Sequence, residues 1–397
     1  MFRKRGASVE YKGFFQQHRL AIAATTLIGT IVGAGMLGIP YAVAKVGFLY
    51  GFLLILGVGL AFLVLNLFLG EIVLRTKEQH QLPGYAGRYL GIWGKRVMAF
   101  SMLIGLYGAL TAYLIGEGTT WYALLGFGSP LFFILLFFCI VAFIIIRGIK
   151  ATGKAELFLI SLLFLVVLLI GFFSYSEIKL SNLTTLNFAE IFLPYGVILF
   201  AFVGIPAIPE LQEELGPERK KLKKAILIGS SIPIVLYLLF TFIIIGIVGL
   251  DQFELLAPNQ RIATVALSLY SSPVLGIFAN LLAALAMFTS FLTIGLAMVE
   301  IYQYDYGVPR RIAILLTLFI PLLITLFNVT SFISILALAG AIGGGLDGIL
   351  LVLMYWKARL LGNRTPEYSL GPQKILGTMV LIFFTLGLVY SLLASFS

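Results

Sequence analysis

Two apolar stretches of this chain contain glycine and proline residues that weaken a helix. The first reads GTIVGAGMLGIP and begins at Gly29, and the second reads LPYGVILFAFVGIPAIPELQEEL and begins at Leu193. Glycine lets the backbone unwind at low cost, and proline removes a backbone donor. Amide groups freed at a helix N-terminus attract a carboxylate, and freed carbonyl oxygens attract an ammonium group or a metal cation. A zwitterion such as an amino acid needs both kinds of group.

The rest of the sequence is that of a membrane protein. Of 397 residues, 60% are hydrophobic and 11% are charged, which is more apolar surface than a soluble domain of this size can bury. Apolar segments of 18 or more residues can cross a hydrocarbon core of about 30 Å. We predict an all-α polytopic protein with eleven transmembrane helices, at residues 20–45, 48–74, 96–124, 130–147, 155–176, 190–212, 225–249, 273–302, 311–327, 331–356 and 373–395.

The cationic residues test this number of spans independently. With the N-terminus inside, all but three of the 27 Lys and Arg residues fall on the inner side, and the exceptions are Lys45, Lys179 and Arg261. Positive charge is retained in cytoplasmic loops, so we predict a cytoplasmic N-terminal segment (residues 1–19) and an outer C-terminus in the cell membrane. This asymmetry accounts for the net charge of +10, and we expect the lipid bilayer, not nucleic acid, as the surrounding partner.

The two weakened stretches occupy matching positions in two halves of the chain. Spans 1 and 6 are five spans apart, and because five is odd the halves 20–176 and 190–356 have opposite orientations. Broken helices at matching positions of inverted repeats are typical of a transporter with a central site. The segment 373–395 then adds one C-terminal helix. An alternative for the first stretch remains open, because Gly29 and Gly33 also form a GxxxG helix-packing pair.

Three motifs resemble those of a known family. GTIVGAGMLGIPYA resembles the first-helix signature of the amino acid/auxin permease and aromatic amino acid permease families, in the amino acid–polyamine–cation superfamily. FAFVGIPAIPELQEEL and FTSFLTIGLAMVEIYQYD are similar to their sixth and eighth helices. The resemblance covers nearly the whole chain. It implies the LeuT-type fold of two inverted five-helix repeats and a carrier of neutral amino acids, including aromatic or large aliphatic ones.

The resemblance also implies a set of substrate-binding residues. The unwound part of span 1 would hold the substrate carboxylate on its amides, a tyrosine of span 3 would cover it, and span 6 would meet the ammonium group and the side chain. Either phenylalanine of span 6 would close over the ligand, although lipid contact or core packing is the alternative in a chain with 34 Phe. The set is Thr30, Ile31, Ala34, Gly35, Tyr113, Phe200, Ala201 and Phe202.

A cation site is implied next to the first stretch. The hydroxyls of Thr289 and Ser290 match the pair that, in sodium-coupled relatives, completes a site with carbonyl oxygens at Gly29 and Val32. In the alternative, both hydroxyls bond back to their own helix. Some proton-coupled relatives carry a lysine inside the fifth span, and ELFLISLLFLVVLLIGFF has none. The coupling ion is therefore Na⁺ or H⁺.

Acidic residues inside a membrane are costly, so each one is a candidate for function. Glu117 of span 3 is a candidate proton carrier. Asp347 of span 10 is a further candidate, and the three glycines that end at Gly345 suggest close helix approach or local unwinding there. We expect Glu71 and Glu300, near the cytoplasmic face, to form ion pairs.

Other functional classes lack their residues. Two His and one Cys argue against a zinc or haem site, no GxxxxGK[ST] motif indicates nucleotide binding, and no cofactor or enzyme activity is expected. The sequence favours a secondary active amino acid transporter that works by cation symport and alternating access. A transport-inactive amino acid sensor of the same fold is the alternative. No pattern in the sequence indicates an oligomeric state.

Overall fold

A computed structural model describes residues 18–148, 153–187 and 193–396. Most of the predicted cytoplasmic segment 1–19 therefore lies outside the described residues. The α-helices are α1 (Arg19–Ile31), α2 (Gly35–Val46), α3 (Phe48–Arg75), α4 (Leu82–Leu125), α5 (Pro130–Arg147), α6 (Gly153–Phe173), α7 (Leu193–Phe202), α8 (Ile208–Leu215), α9 (Leu222–Leu255), α10 (Ala263–Tyr270), α11 (Pro273–Asp305), α12 (Arg310–Leu326), α13 (Phe332–Ala339), α14 (Gly345–Leu361) and α15 (Lys374–Phe396).

The shorter helical turns join these elements. They are 3₁₀ turns at Tyr175–Glu177, Leu180–Leu183, Ile205–Ala207, Gly216–Lys221 and Pro258–Arg261, and a π-helical turn at Gly340–Gly344. The π-helical turn joins α13 to α14 without a loop, so residues 332–361 form one long rod.

Helical residues occupy each predicted span. In the described ranges, seven helices are long and apolar enough to cross a membrane, or eight if α1 and α2 together make one span. This total counts residues 194–255, which include α8 and α9, as one helix. Large apolar side chains such as Phe143, Phe172 and Leu386 are exposed on the outer helices, as expected for a surface that faces lipid rather than water. The chain is thus an all-helical, multi-pass membrane protein.

The centre of the molecule is built by the helices around α1, α2 and α7. The long helix α9 packs against α1, α2 and α3, while α7 packs against α2 and α13. On the other side, α4 packs against α5, α11 and α14, and α15 lies on α14. The short helices are therefore enclosed by long ones, which keeps irregular backbone away from lipid.

One buried carboxylate joins the C-terminal ends of α3 and α14. The Glu71 side chain is fully buried, and its Oε1 accepts from Arg75 Nε at 2.8 Å and from Arg359 at 3.0 Å. Its Oε2 accepts from the backbone N–H of Leu370 at 2.7 Å. The expectation of an ion pair at Glu71 is confirmed, and the pair also fastens the loop that follows α14.

We predict that Glu71→Ala destabilises the protein by about 3 kcal/mol, because it leaves two guanidinium groups and a backbone amide without their shared partner. Thermal unfolding of the detergent-purified protein measures this. The matched control is Glu218→Ala, which removes an exposed ion pair with Lys221 worth about 0–1 kcal/mol. Equal losses for the two variants would contradict the assigned role of Glu71.

Candidate binding site at two helix interruptions

The first interruption separates α1 from α2. Helix α1 ends at Ile31, α2 begins at Gly35, and the two axes are bent by 53°. The backbone amides of Gly33 and Ala34 donate no hydrogen bond to backbone in the described part of the chain. The amide of Gly35 follows as the first of the four that a helix leaves without an intrahelical partner. These adjacent amides form an N-terminus suited to an anion.

The same turn leaves carbonyl oxygens without backbone donors. The amides of Gly33 and Ala34 would bond to the carbonyls of Gly29 and Thr30 in a continuous helix, and neither bond forms. The amide of Met36 bonds to Gly33 and not to Val32. Free donors and free acceptors therefore lie within seven residues of chain, on the two sides of one turn.

The second interruption follows α7. Helix α7 ends at Phe202, a 3₁₀ turn covers Ile205–Ala207, and α8 begins at Ile208. Pro206 and Pro209 lack the amides that would bond to the carbonyls of Phe202 and Ile205 in a continuous helix. Proline chemistry thus accounts for the irregular backbone here, as glycine does at the first interruption.

The two interruptions contact each other directly. A Cβ placed on Gly35 would lie 2.7 Å from the Cα of Ala201, and a Cβ placed on Gly204 would lie 2.5 Å from Cγ1 of Ile31. Each contact pairs a glycine of one interruption with a residue of the other. The absence of a side chain lets the backbone at Gly35 approach that of Ala201, and at Gly204 it leaves room for the Ile31 side chain.

Tyr237 of α9 joins the two interruptions. Its hydroxyl lies 2.7 Å from the carbonyl oxygen of Ile31 and 2.9 Å from that of Ala201. The side chain is fully buried, and its ring packs on that of Phe202 with centroids 4.9 Å apart. One hydroxyl hydrogen is shared between two carbonyls that their own helices do not satisfy. Sequence reasoning missed Tyr237, and its only signal is a single polar residue in the apolar run IPIVLYLLF.

The structure brings most of the predicted substrate residues to this junction. Gly35 touches Ala201, and the carbonyls of Ile31 and Ala201 share the Tyr237 hydroxyl. Ala34, which lies between Ile31 and Gly35 in the chain, is also buried. Tyr113 approaches from α4, since a Cβ on Gly33 would lie 3.7 Å from its hydroxyl oxygen.

The other three predicted substrate residues point away from the junction of the two interruptions or lie at its edge. Phe202 is fully buried against Tyr237 and Gly59, which corresponds to the core-packing alternative. Phe200 is half-buried, with its backbone nitrogen beside Gly340. Thr30 is exposed, and its hydroxyl donates to the carbonyl of Thr26 in its own helix at 2.9 Å.

The two hydroxyls of the predicted cation site behave differently. Thr289 donates back to the carbonyls of Leu285 and Ala286 at 3.2 and 3.1 Å. A hydroxyl that donates to its helix still has lone pairs for a cation. Ser290 lies at the first interruption, 3.9 Å from a Cβ placed on Gly33, and forms a side-chain hydrogen bond with Tyr113.

Glu117, the predicted proton carrier, lies one helical turn beyond Tyr113 on α4. It is 1% exposed, and its Oε2 accepts from Trp121 Nε1 at 2.9 Å. Its Oε1 has no hydrogen-bond partner among the residues that the structure describes. The carboxyl group is therefore buried with one hydrogen bond to one of its two oxygens.

A cavity of about 1150 Å³ opens at the end of the molecule that carries Lys45 and Arg261. Both cations contact Glu254, at 3.1 and 3.2 Å, and Arg261 also donates to the Tyr41 hydroxyl at 2.7 Å. The cavity reaches Val197 of α7, and none of the eight predicted substrate residues lines it. Two of the three outer cations of the charge analysis thus lie at the mouth of this cavity.

Comparison with known proteins identifies the family. A model of the tryptophan/tyrosine permease family matches residues 16–391. The chain belongs to the tryptophan/tyrosine permease family. Tyrosine-specific transport system 1 of Haemophilus influenzae is 31% identical over 357 residues, which are 85% of this chain and 88% of that protein. The expected resemblance to aromatic amino acid permeases is confirmed, and the family consists of transporters rather than enzymes.

Further relatives agree with this assignment to the family. Tyrosine-specific transport system 2 of Haemophilus influenzae is 26% identical and covers 87% of this chain and 89% of its own. Glutamine transporter 2 of Aliivibrio fischeri is 25% identical over 81% of this chain and 84% of its own. The crystal structure of MhsT in complex with L-phenylalanine has the same fold, with a TM-score of 0.67, 16% identity, and coverage of 94% of this chain and 97% of MhsT.

We predict that Gly35→Ala lowers the thermal midpoint of the detergent-purified protein, whereas Gly33→Ala does not. The added methyl at Gly35 meets the backbone of Ala201 at 2.7 Å, and at Gly33 the nearest atom is a hydroxyl at 3.7 Å. Overpacking of this kind costs about 1–3 kcal/mol. Equal midpoints for the two variants would show that the interruptions do not pack as described.

Proposed function

We propose that this chain is a secondary active carrier that takes up neutral amino acids, preferring aromatic side chains, by symport with Na⁺ or H⁺. The observation that supports this most strongly is the contact between two helix interruptions, with free amides and free carbonyls on both sides of one turn. A ligand with a single charge needs only one of these two kinds of group, whereas a zwitterion needs both.

The binding mode follows from the free backbone groups. The amides of Gly33, Ala34 and Gly35 donate to the substrate carboxylate, and the Tyr113 hydroxyl beside Gly33 covers it. The ammonium group takes carbonyl oxygens at the second interruption. Because the Tyr237 hydroxyl occupies the carbonyls of Ile31 and Ala201, it prearranges both interruptions before the substrate binds.

The preference for aromatic substrates is supported by the relatives. Two of them are named as tyrosine-specific transport systems and one as a glutamine transporter, and MhsT binds L-phenylalanine. In this chain Phe200 is half-buried beside the junction and is placed to cover the substrate side chain. The identity of the substrate is thus proposed within neutral amino acids, with tyrosine, phenylalanine and tryptophan first.

The proposed topology has eleven spans in two inverted repeats of five, with the N-terminus in the cytoplasm. The bent pair α1 and α2 crosses once, and residues 194–255 hold two crossings, which are the interrupted pair α7 and α8 and then α9. Gly153–Phe173 and Arg310–Leu326 supply two more, and 17 residues of helix in the latter span about 26 Å. The inner loops then carry the excess of Lys and Arg.

Sodium, if it is the coupling ion, is a second substrate of this carrier. The free carbonyls of Gly29 and Val32 and the lone pairs of Thr289 and Ser290 supply the hard oxygen ligands that it prefers. Ion binding would favour the state open to the outside, and substrate binding would favour closure. A downhill ion gradient would then drive accumulation of the amino acid.

The test is uptake of labelled L-tyrosine, L-phenylalanine and L-glutamine by proteoliposomes under an inward Na⁺ gradient, an inward proton gradient, or none. We expect accumulation of the aromatic amino acids above equilibrium with one gradient and not without it. Binding in detergent with no uptake under any gradient would identify the sensor alternative instead.

We predict that Thr289→Ala combined with Ser290→Ala raises the Na⁺ concentration for half-maximal uptake at least tenfold if Na⁺ is the driver, because two oxygen ligands are lost. Uptake driven by protons would change by less than twofold. Thr385→Ala is the matched control, since this hydroxyl also bonds back to its own helix, on the outer helix α15. If uptake is driven by sodium and its Na⁺ dependence is the same in the double variant and the control, the cation site lies elsewhere.

A further inference from the structure

A second buried carboxyl group lies outside the site described so far. Asp347 is 4% exposed and lies about halfway along the helical rod that runs from Phe332 to Leu361. It is the third residue after the π-helical turn Gly340–Gly344. π-Helical turns inside α-helices occur frequently at functional sites, and a charge near the bilayer centre is costly unless it is neutralised.

The contacts of Asp347 favour its protonated form. Ser101 Oγ lies 2.7 Å from Asp347 Oδ1 and 2.8 Å from the carbonyl oxygen of Gly343. A serine hydroxyl has one hydrogen. If Asp347 were ionised, its Oδ1 and the Gly343 carbonyl oxygen would have to share that one hydrogen, and each bond would be weaker. If Asp347 is protonated, its O–H donates to Ser101, Ser101 donates to Gly343, and both contacts are hydrogen bonds.

No cation among the described residues forms an ion pair with Asp347. On its own helix the nearest charged groups toward the C-terminus are Lys357 and Arg359. Arg359 lies about 18 Å from Asp347 along the axis and binds Glu71. On α3 the charged groups are Glu71 and Arg75, which bind each other. The charge of an ionised Asp347 would therefore be uncompensated.

The other two elements packed on α14 give the same result. On α4, the titratable groups closest to Ser101 in the chain are Lys95, Arg96 and Tyr107. Lys95 packs against Gly87, Arg96 lies over the Trp93 ring, and Tyr107 is hydrogen-bonded to Tyr302. On α15, Phe384 packs at Gly348. Lys374, ten residues earlier, is about 15 Å away along that helix, and Tyr390 lies in the opposite direction.

The π-helical turn connects Asp347 to the second interruption. A Cβ placed on Gly340 would lie 2.0 Å from the carbonyl oxygen of Gly196 and 2.6 Å from the backbone nitrogen of Phe200. The turn that ends beside Asp347 is therefore packed backbone to backbone on α7. Any rearrangement of the Ser101–Gly343 contact bears on the helix that carries Phe200 and Ala201.

We propose that Asp347 is a proton-binding site, with Ser101 and the Gly343 carbonyl as its hydrogen-bonded relay, and that its proton is carried with the amino acid. The second half of this proposal rests on the proposed transport function, and the first half does not. Loss of the proton leaves the Asp347 carboxylate and the Gly343 carbonyl to share the single Ser101 hydrogen. Movement of the π-helical turn or entry of water, which would supply a further donor, therefore favours release.

The first experiment detects the proton without transport. Infrared spectra of the purified full-length protein in lipid should show the carbonyl band of a protonated carboxylic acid that fades at alkaline pH. Asp347→Asn should lose this band, because its amide replaces the acid group and still donates to Ser101. Glu117→Gln, the variant of the other buried carboxyl group, should retain the band, and so should Asp251→Asn, an exposed acid on α9.

The second experiment measures proton movement with uptake. Proteoliposomes that contain a pH-sensitive dye should acidify inside when L-tyrosine or L-phenylalanine is added outside. In Asp347→Asn this acidification should be lost, while amino acid binding stays within about threefold of the wild type. Asp251→Asn should acidify as the wild type does.

The outcomes separate the two proposals. A wild-type spectrum without a band assignable to Asp347 overturns the proton site even if uptake is observed. Acidification by Asp347→Asn equal to that of the wild type overturns its role in coupling. A band that Asp347→Asn removes, together with no uptake by the wild type, supports the proton site and contradicts the carrier function.

Discussion

A peptide group in hydrocarbon has no water to bind, so a helix can stop inside this protein only where another group satisfies its backbone. Tyr237 supplies that group for both interruptions, since its hydroxyl contacts the carbonyls of Ile31 and Ala201. The remaining free amides and carbonyls are then available to a ligand. The way the two interruptions meet depends on this buried hydroxyl, on Gly35, which lets the backbones of α2 and α7 approach, and on Gly204, which leaves room for the Ile31 side chain.

The same constraint operates at three depths of the molecule. At the C-terminal ends of α3 and α14, buried Glu71 is surrounded by donors from α3, α14 and the following loop. At the junction of the interruptions, a neutral hydroxyl joins two carbonyls. Near the middle of the rod that contains α14, Ser101 links Asp347 to a backbone carbonyl. The carboxylate at Glu71 has cations as partners, whereas hydroxyl groups supply the hydrogen bonds at the other two places.

Some of these features could be predicted from the sequence and others could not. The glycines and prolines located both interruptions, because backbone chemistry is local and proline lacks its donor in any context. Gly35 was predicted to contact the substrate, and the structure shows why it must be glycine. The direction of Phe202 into the core was not predictable, because in a chain with 34 phenylalanines the residue type does not separate core, lipid-facing and substrate-facing positions. Tyr237 and Ser101 were missed, because their partners lie 206 and 246 residues away.

By itself, the sequence determined the all-helical membrane class and the places where helices weaken, since these follow from hydropathy and the local chemistry of glycine and proline. The tertiary structure alone decided which freed groups remain free. It paired Gly35 with Ala201 and Gly204 with Ile31, turned Thr289 back on its helix, and gave Asp347 a single hydroxyl as partner. Hydrogen bonds across the fold depend on which helices become neighbours, and that is set by packing between distant segments rather than by any local pattern.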